Sequence, residues 1–402
     1  MSDLLDVENE LNFENEITSY EYHEYSPFTP ASLGQSDEIN ISIQNQDLLT
    51  DTAKSFIRVE GRILKDDGKT AGTAELVNNG ICFLFDEIRF KMGATEISRC
   101  RNVGISSLMK NYVLLSPTEA KYMQQAGWDS PNAAIVKDGY FSALIPLRSL
   151  LGVSEINASP LLNVKQELIL LRSRSDSDCL IAAAASTDKI QLSKVTWVVP
   201  HITVSDRMRL HLMKLVAEDR PLRVAFRQWE FYEHPLAENT KDSWTILTTT
   251  QTQRPQFVVV GLQSGRKSDV TKDNSKFDHC NIQDMRVYLN SQVFPYSSLD
   301  SQFSKNQYLQ QYAAYARMKL AFDKSEVCEP LLSYIEFRDK APLFVFDTSK
   351  VNDNLIDSTC DCRIEWQTDG TKIPKNTTAF ALIIHHREID YYPLSNTVKS
   401  IT

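Results

Sequence analysis

From Ala53 onward the apolar positions fall in short runs rather than in long helical stripes. SFIRVEGRIL, GICFLFDEIRFKMG, YFSALIPL, QELILLRSR, KIQLSKVTWVV and PLRVAFRQWEFYE are rich in Val, Ile, Phe, Tyr and Trp and are bounded by Gly, Asp, Asn or Pro, a pattern that predicts strands. In DEIRFKM, Ile88, Phe90 and Met92 alternate with Glu87, Arg89 and Lys91. A period of two puts one strand face in a core and the other in water. The second half repeats the texture in WTILTTTQ, QFVVVGLQ, DMRVYLN, LLSYIEF, PLFVFDT, CRIEWQT and TAFALIIHH. Few of these runs alternate with long helical segments, which disfavours a parallel α/β sheet and favours sandwiches or barrels.

Three helices interrupt the strands. Ser116-Pro117-Thr118-Glu119 is a capping box with Pro in the first turn, and Gly127 supplies a stop, predicting a helix over about 117–126. Ser205 is placed to cap a second helix carrying Met208, Leu212, Leu215 and Val216. Ser304 is placed to cap a third, with Leu309, Ala313, Ala316 and Leu320 as its stripe and Tyr308, Tyr312 and Tyr315 beside it. Each is expected to pack across a sandwich end, and a tyrosine stripe of this kind reads as packing or interface rather than a cofactor site.

An internal repeat organises the chain. Asp86–Gly93 and Gln283–Asn290 share acid or amide, acid, apolar, Arg, apolar, long, apolar and turn residue in the same order, at an offset of 283 − 86 = 197 residues. A weaker echo pairs KVTWVV with CRIEWQ. An offset of half the chain implies duplication of an all-β unit. The fold class expected is therefore all-β, two tandem eight-stranded jelly rolls with a few short helices. The expected division is an acidic N-terminal arm over 1–52, a first roll over 53–236 and a second over 237–402, with the polar stretch 234–243 as the link. Phe90, Met92, Val287, Leu289, Tyr308, Tyr312 and Tyr315 are the candidate assembly or packing residues.

The segment GRILKDDGKT…VNNGICFLFDEIRFKMGATEIS resembles the opening of the first roll of double-jelly-roll major capsid proteins, especially those of Polinton/Maverick elements and adintoviruses. NIQDMRVYLNSQVFPYSSLDSQFSKNQYLQQYAAY resembles the start of their second roll, and IEWQTDGTKIPKNTTAFALIIHHREIDYYPLSN the closing strands. Met92-Gly93-Ala94 and Leu289-Asn290-Ser291 depart from the family's Leu-Asn-Gly turn. The resemblance implies a virion protein that forms homotrimers with pseudo-sixfold outlines and tiles an icosahedral shell, with 99–140 and 262–281 as projecting or inter-subunit loops. Minor capsid or vertex proteins are the expected partners of the arm. The alternative from texture alone is a cellular β-sandwich binding module, with Trp128 or Trp244 as an exposed aromatic for a glycan or protein ligand.

Composition sharpens this picture at one point. The 402 residues (45.8 kDa) allow about two or three domains, and the net charge is −9. Residues 1–50 hold 11 Asp/Glu and no Lys or Arg, so the remaining 352 carry 43 − 41 = +2. That near-neutral body lacks the basic footprint of a dedicated nucleic-acid binder, and Arg99, Arg101 and Lys110, or Arg172 and Arg174, are modest clusters. No apolar run reaches the about 18–20 residues of a membrane helix, and residues 1–30 lack a signal-peptide pattern. Seven scattered cysteines without a C-x-x-C pair read as reduced thiols.

Catalytic and metal chemistry finds no footing in the sequence, and neither an enzyme nor a cofactor is expected. Gly261-Leu262-Gln263-Ser264-Gly265-Arg266-Lys267-Ser268 has three residues between its glycines and an Arg before Lys, against the four and none of a phosphate loop. His385 and His386 are neighbours on a predicted strand and so face opposite ways. Cys360 and Cys362 share a face but make an incomplete metal site. His201 has no identifiable nucleophile or acid at a useful spacing.

Overall fold

The computed structural model describes residues 17–28, 33–44, 49–129, 135–155, 161–162, 165–183, 186–219, 221–246, 255–323, 327–349, 361–395 and 397–401. Two sets of eight principal strands build it, with six further strands of two to four residues beside them among the described residues. The first comprises β1 (Ile17–Tyr25), β2 (Glu38–Ile43), β3 (Phe56–Leu64), β4 (Phe85–Met92), β5 (Thr95–Arg101), β6 (Tyr140–Pro146), β7 (Gln166–Arg172) and β8 (Lys189–Val204). The second comprises β9 (Leu222–Pro235), β10 (Lys241–Ile246), β11 (Pro255–Ser264), β12 (Ile282–Leu289), β13 (Gln292–Phe294), β14 (Phe344–Asp347), β15 (Cys362–Thr368) and β16 (Thr377–Tyr392).

Every pairing is antiparallel. Roll one has the sheets β1-β8-β3-β6 and β2-β7-β4-β5, and roll two has β9-β16-β11-β14 and β10-β15-β12-β13. Adding eight to each strand of roll one gives roll two. The repeat at offset 197 is β4 against β12, which hold the same place in their sheets. The weaker echo does not survive: KVTWVV lies in β8, whose counterpart is β16, whereas CRIEWQ opens β15.

Alternation fills both cores. In β4, Ile88, Phe90 and Met92 are buried, and Phe90 meets Trp197 of the facing sheet edge-on at 6.2 Å. In β12, Met285, Val287 and Leu289 do the same. Strands β8 and β16, each 16 residues long, are the central strands against which neighbours on both sides register.

The described parts of the acidic arm include strands of the fold. Strand β1 pairs with β8 from Ile17 opposite Val204 to Tyr25 opposite Trp197, and β2 pairs with β7 from Glu38 opposite Leu171 to Ile43 opposite Gln166. A strand needs alternation and an open edge to join, and ITSYEYHEY and EINISI supply the first while β8 and β7 supply the second. Residues 1–16 lie outside the described residues. Strand β9, inside the expected first unit, bonds along its length to β16, from Leu222 opposite Tyr391 to Pro235 opposite Thr378. The pairing changes from one roll to the other across the helix at 206–217.

The helices are α1 (Val103–Leu114), α2 (Pro117–Tyr122), α3 (Asp206–Ala217), α4 (Leu309–Asp323) and α5 (Tyr334–Lys340). The Ser116 box caps α2 and the Ser205 side chain caps α3, as the spacing predicts. Ser304 does not cap α4: it lies in a 3-10 turn that ends at Asn306 with φ 56°. Leu309 is 71% exposed, and the buried face is Gln311, Tyr315, Met318 and Phe322. LLSYIEF, expected as a strand, runs into α5, because Ser333 and Glu336 form a reciprocal capping box. Helix α1 is buried on nearly every side, so the 99–140 region does not project as a loop there.

Candidate assembly surfaces

The seam between the rolls is a built polar feature. Strand β5 of roll one lies against β9 of roll two. Ser98 Oγ donates to Gln228 Oε1 at 3.0 Å, Gln228 Nε2 donates to the Arg99 carbonyl at 3.1 Å, and Arg387 of β16 donates to the Ile97 carbonyl at 2.7 Å. Gly152 sits directly on the β9 backbone, where a Cβ would fall 1.8 Å from the Arg227 carbonyl oxygen. Only a residue without a side chain allows that approach.

Helices α1 and α4 close the seam from the side. The Tyr315 hydroxyl donates to the Tyr112 carbonyl at 3.0 Å, and the Tyr112 hydroxyl to the Ser275 carbonyl at 3.2 Å. Lys319 pairs with Glu119 across the rolls. Lys110, buried in α1, pairs with Glu155, donates to the Arg148 carbonyl at 2.7 Å, and lies 5.1 Å from the ring centre of Trp229. Burial holds the Glu155 carboxyl above its usual range, against the pull of Lys110. A cleft of about 660 Å³ opens here, lined by Lys110, Asn111, Arg227, Phe322 and His386 among others. The expected loop 262–281 also works at the seam: Asp178 of roll one accepts from the Ser268 amide at 2.6 Å and from Asn274 Nδ2 at 3.2 Å.

The tyrosines singled out from sequence are turned inward. Tyr308 stacks on Tyr334 at 4.2 Å and on Phe303 at 5.0 Å, and its hydroxyl donates to the Tyr334 carbonyl at 3.0 Å. Tyr312 and Tyr315 both meet Phe337 of α5. Phe90, Met92, Val287 and Leu289 are sandwich core. Trp128 and Trp244, candidates for an exposed binding aromatic, are buried instead, Trp128 against Tyr112 at 5.0 Å and Trp244 stacked on His234 at 5.2 Å.

The remaining chemical candidates resolve into structure. His385 is buried and His386 points out to Glu388 at 3.0 Å. Cys362 is buried and Cys360 lies outside the described residues; among the described residues no three metal-type side chains cluster. After Ser264 the chain enters turns rather than a helix, and Lys272 Nζ donates to the Gly265 carbonyl at 2.7 Å. His201 bonds the Tyr25 hydroxyl at 2.8 Å and stacks on His23 at 4.1 Å, and burial lowers its proton affinity. Arg99 pairs with Glu87, and Arg172 with Asp176, so these cations are neutralised.

Two further surfaces matter because they match the seam. On roll two, β13, β14 and α4 border a groove of about 250 Å³ lined by Phe294, Pro295, Leu299, Gln311, Phe344 and Phe346 among others. Gln311 is 2% exposed, and neither atom of its side-chain amide has a hydrogen-bond partner among the described residues. On roll one, β1 leaves Tyr20 36% and Tyr22 53% exposed on the outer edge of its sheet. Sequence reasoning missed the β1 edge because the acid count of residues 1–50 hid the strand pattern of ITSYEYHEY. It missed Gly152 and Gln228 because nothing local marks a close approach between residues 228 − 152 = 76 positions apart.

The geometry agrees with what the chain is similar to. It is similar to the Sputnik virophage structure solved by cryo-EM, with a TM-score of 0.64 and 9% identity over 99% of this chain and 91% of that one. It is similar to the capsid of virus PBCV-1 (0.63, 10%, 98% and 99%) and to the Faustovirus major capsid protein (0.61, 9%, 95% and 92%). No curated protein matches the sequence. The family described as double jelly roll-like domain matches residues 74–389. With two eight-stranded rolls of one strand order and that match over most of its length, the chain belongs to the double jelly roll-like family.

Proposed function

We propose that the protein is a structural capsid subunit that assembles as a homotrimer of pseudo-hexameric outline and tiles an icosahedral shell. The observation that carries this reading is the seam: one side of roll one is covered by the edge of roll two, and the matching pair of surfaces is left uncovered. At the repeat offset of 197, Ile97 and Ser98 correspond to Phe294 and Pro295, which line the open groove of roll two. Counting from Gly61 of β3 and Gly261 of β11, Ile57 opposite Trp197 corresponds to Phe257 opposite Ile384. Tyr25 and Trp229 pair with those two positions, so Tyr22 and Glu24 correspond to Phe226 and Gln228. Phe226 and Gln228 are buried, whereas Tyr22 and Glu24 are exposed.

Docking the roll-two groove of one chain on the β1 edge of the next repeats the seam between chains. This contact is heterologous, and three chains present six rolls, which close at a step of about 60° per roll. Unpartnered Gln311 then has the place in the new contact that a polar pair such as Ser98 and Gln228 has within the chain. The mechanism is assembly rather than turnover, and a body close to neutral lets copies sit side by side without strong self-repulsion. The division of the chain that fits is roll one through Val204, α3 as the connector, and roll two from Leu222. Light scattering of the purified chain should give a species of three 45.8 kDa chains, and electron microscopy hexagonal capsomers or shells. A single-chain species at high concentration across a range of salt overturns the proposal.

A further inference from the structure

A buried imidazole stands in the seam without a direct partner. His385 of β16 is 2% exposed, and its Nε2 has no hydrogen-bond partner among the described residues. Glu230 Oε1 lies 3.9 Å away, beyond hydrogen-bond reach, and the other oxygen of that carboxylate accepts from the Tyr232 hydroxyl at 2.6 Å. The neutral ring suits this site, because an imidazolium there would lack both water and a bonded counter-charge.

Its neighbours are the groups that tie the rolls together. His385 stands opposite Gln228 in the register of β9 and β16, so the two side chains share one face, and Arg387, two residues along, shares it too. Gln228 bonds Ser98 and the Arg99 carbonyl, and Arg387 bonds the Ile97 carbonyl, all in β5 of roll one. If β5 parts from this face, those bonds are lost and water reaches the ring. The charged groups around it are Glu230 from β9, Arg387 and His386 on its own strand, and Glu96 from β5, which acts on Arg387; β11 places uncharged Pro255 opposite it. Burial lowers the proton affinity of His385, Glu230 pulls it up, and Arg387 and His386 push it down, leaving it below that of a free imidazole.

We propose that the seam is an acid-sensitive joint: it stays closed while His385 is neutral, and protonation of that ring loosens β5 of roll one from the face that β9 and β16 of roll two present. The closed joint binds the proton less readily than the open one, so closure is fully present above about pH 6.5 and weakens as pH falls below it. At about pH 5 a hydrated imidazole is protonated about 30 to 1, so opening is favoured by up to about 30-fold. Glu155, on the cleft side of the seam, works in the other direction. Burial raises its proton affinity in the closed form, so acid favours closure at that group.

The test uses the full chain at a concentration where it is monomeric, so its outcome is independent of the capsid reading. Hydrogen exchange of amides 95–101 in β5 and 222–235 in β9 is measured at about pH 7.5 and about pH 5, with the pH dependence of intrinsic exchange divided out. Amides 85–92 of β4, inside roll one, report whole-roll unfolding. The expected result is a loss of protection of at least about tenfold in β5 and β9 at the lower pH, with β4 unchanged. His385→Gln should abolish that loss, and His385→Phe provides a second uncharged side chain where the amide unsettles the site. His201→Gln, in roll one, should leave the loss in place. Equal protection at both pH values, a loss shared by β4, or a loss that persists in both His385 variants overturns the proposal.

Discussion

Gly152→Ala probes the seam at its narrowest point. The new Cβ would lie 1.8 Å from the Arg227 carbonyl oxygen, 2.9 Å from its carbon and 3.3 Å from Trp229 Cδ1, against an ordinary contact of about 3.5 Å. The two nearest atoms are backbone, so relief cannot come from a side chain turning away, and the rolls must part by roughly 1.5 Å. That displacement strains the bonds from Gln228 to the Arg99 carbonyl, from Ser98 to Gln228 and from Arg387 to the Ile97 carbonyl. Neutral bonds are worth about 1 kcal/mol net and the charged one about 1.5–3, while overpacking generally costs about 1–3 kcal/mol. Partial relaxation then gives a destabilisation of about 2–4 kcal/mol. Urea unfolding followed by tryptophan fluorescence reads it, with Trp229 at the contact. Gly104→Ala is the comparison, because its Cβ meets the Phe83 ring at 2.4 Å inside roll one. Hydrogen exchange in β5 and β9 should accelerate only in Gly152→Ala. A loss below about 0.5 kcal/mol with unchanged protection in both strands would refute the seam.

Gln311→Met replaces a buried, unpartnered amide by an apolar chain of similar length, which should raise the melting temperature of the monomer while lowering trimer yield; light scattering and calorimetry on the same sample check both signs. The folded-state affinity of His201 for protons lies below that of a free imidazole, because burial disfavours the charge and the stacked His23 adds to it, against Glu21. The undocked state therefore binds protons more readily, so β1 docking is fully present above about pH 6.5 and weakens as pH falls below it. Protection of amides 17–25, with the pH dependence of intrinsic exchange divided out, should fall as pH drops below about 6.5, and His201→Gln should flatten that fall. Burial pushes the Cys82 thiol up to about 12 and Cys100 and Cys280 to about 11, so a thiol reagent should label exposed Cys328 at once and those three only as the rolls open. Deleting residues 1–50 removes β1 and β2 and should unfold roll one; circular dichroism of an intact body after deletion would contradict their place in the sheets.

Strands with strict alternation were legible because period two is a property of each segment alone. Ile88, Phe90 and Met92 in β4 and Met285, Val287 and Leu289 in β12 declare both their inward face and their kinship at offset 197. Partner choice was not legible in the same way. PLRVAFRQWEFYE reads as a strand from its residues, yet only the register with β16 assigns it to roll two. The strands of the arm are hard to read because eleven acids in 50 residues suggest repulsion, whereas Glu24 is held by Arg58 and Lys194 from across the sheet. Helix α5 was hidden by aromatic and β-branched content, although the Ser333 and Glu336 box was there to be read. The tyrosines came out as a set, but their inward direction depends on how α5 and α1 pack against them, which no local pattern announces.

The two copies of one edge have diverged in the direction their contacts require. In roll two that edge is covered as soon as the chain folds, and it carries Phe226, Gln228 and Trp229, all buried. In the proposed assembly the matching Tyr22 and Glu24 of roll one stay in water until another chain arrives, while Tyr25 is half-buried with its hydroxyl bonded to His201. Tyrosine offers apolar area with a hydroxyl that water can satisfy, and a charged residue on an open edge discourages indiscriminate strand pairing. Glu24 answers that need while Arg58 and Lys194 hold it at 2.6 and 2.7 Å. On that proposal, a permanent contact and one that forms after folding occupy the same position of the two rolls. Tyr22→Ala separates them: it removes a ring that is 53% exposed in the single chain, so monomer stability should change by less than about 0.5 kcal/mol. Trimer dissociation, measured by dilution and light scattering, should become at least about tenfold easier, the equivalent of about 1.4 kcal/mol. Equal loss in the monomer and the trimer would mean that Tyr22 serves the fold of roll one and not the meeting of chains.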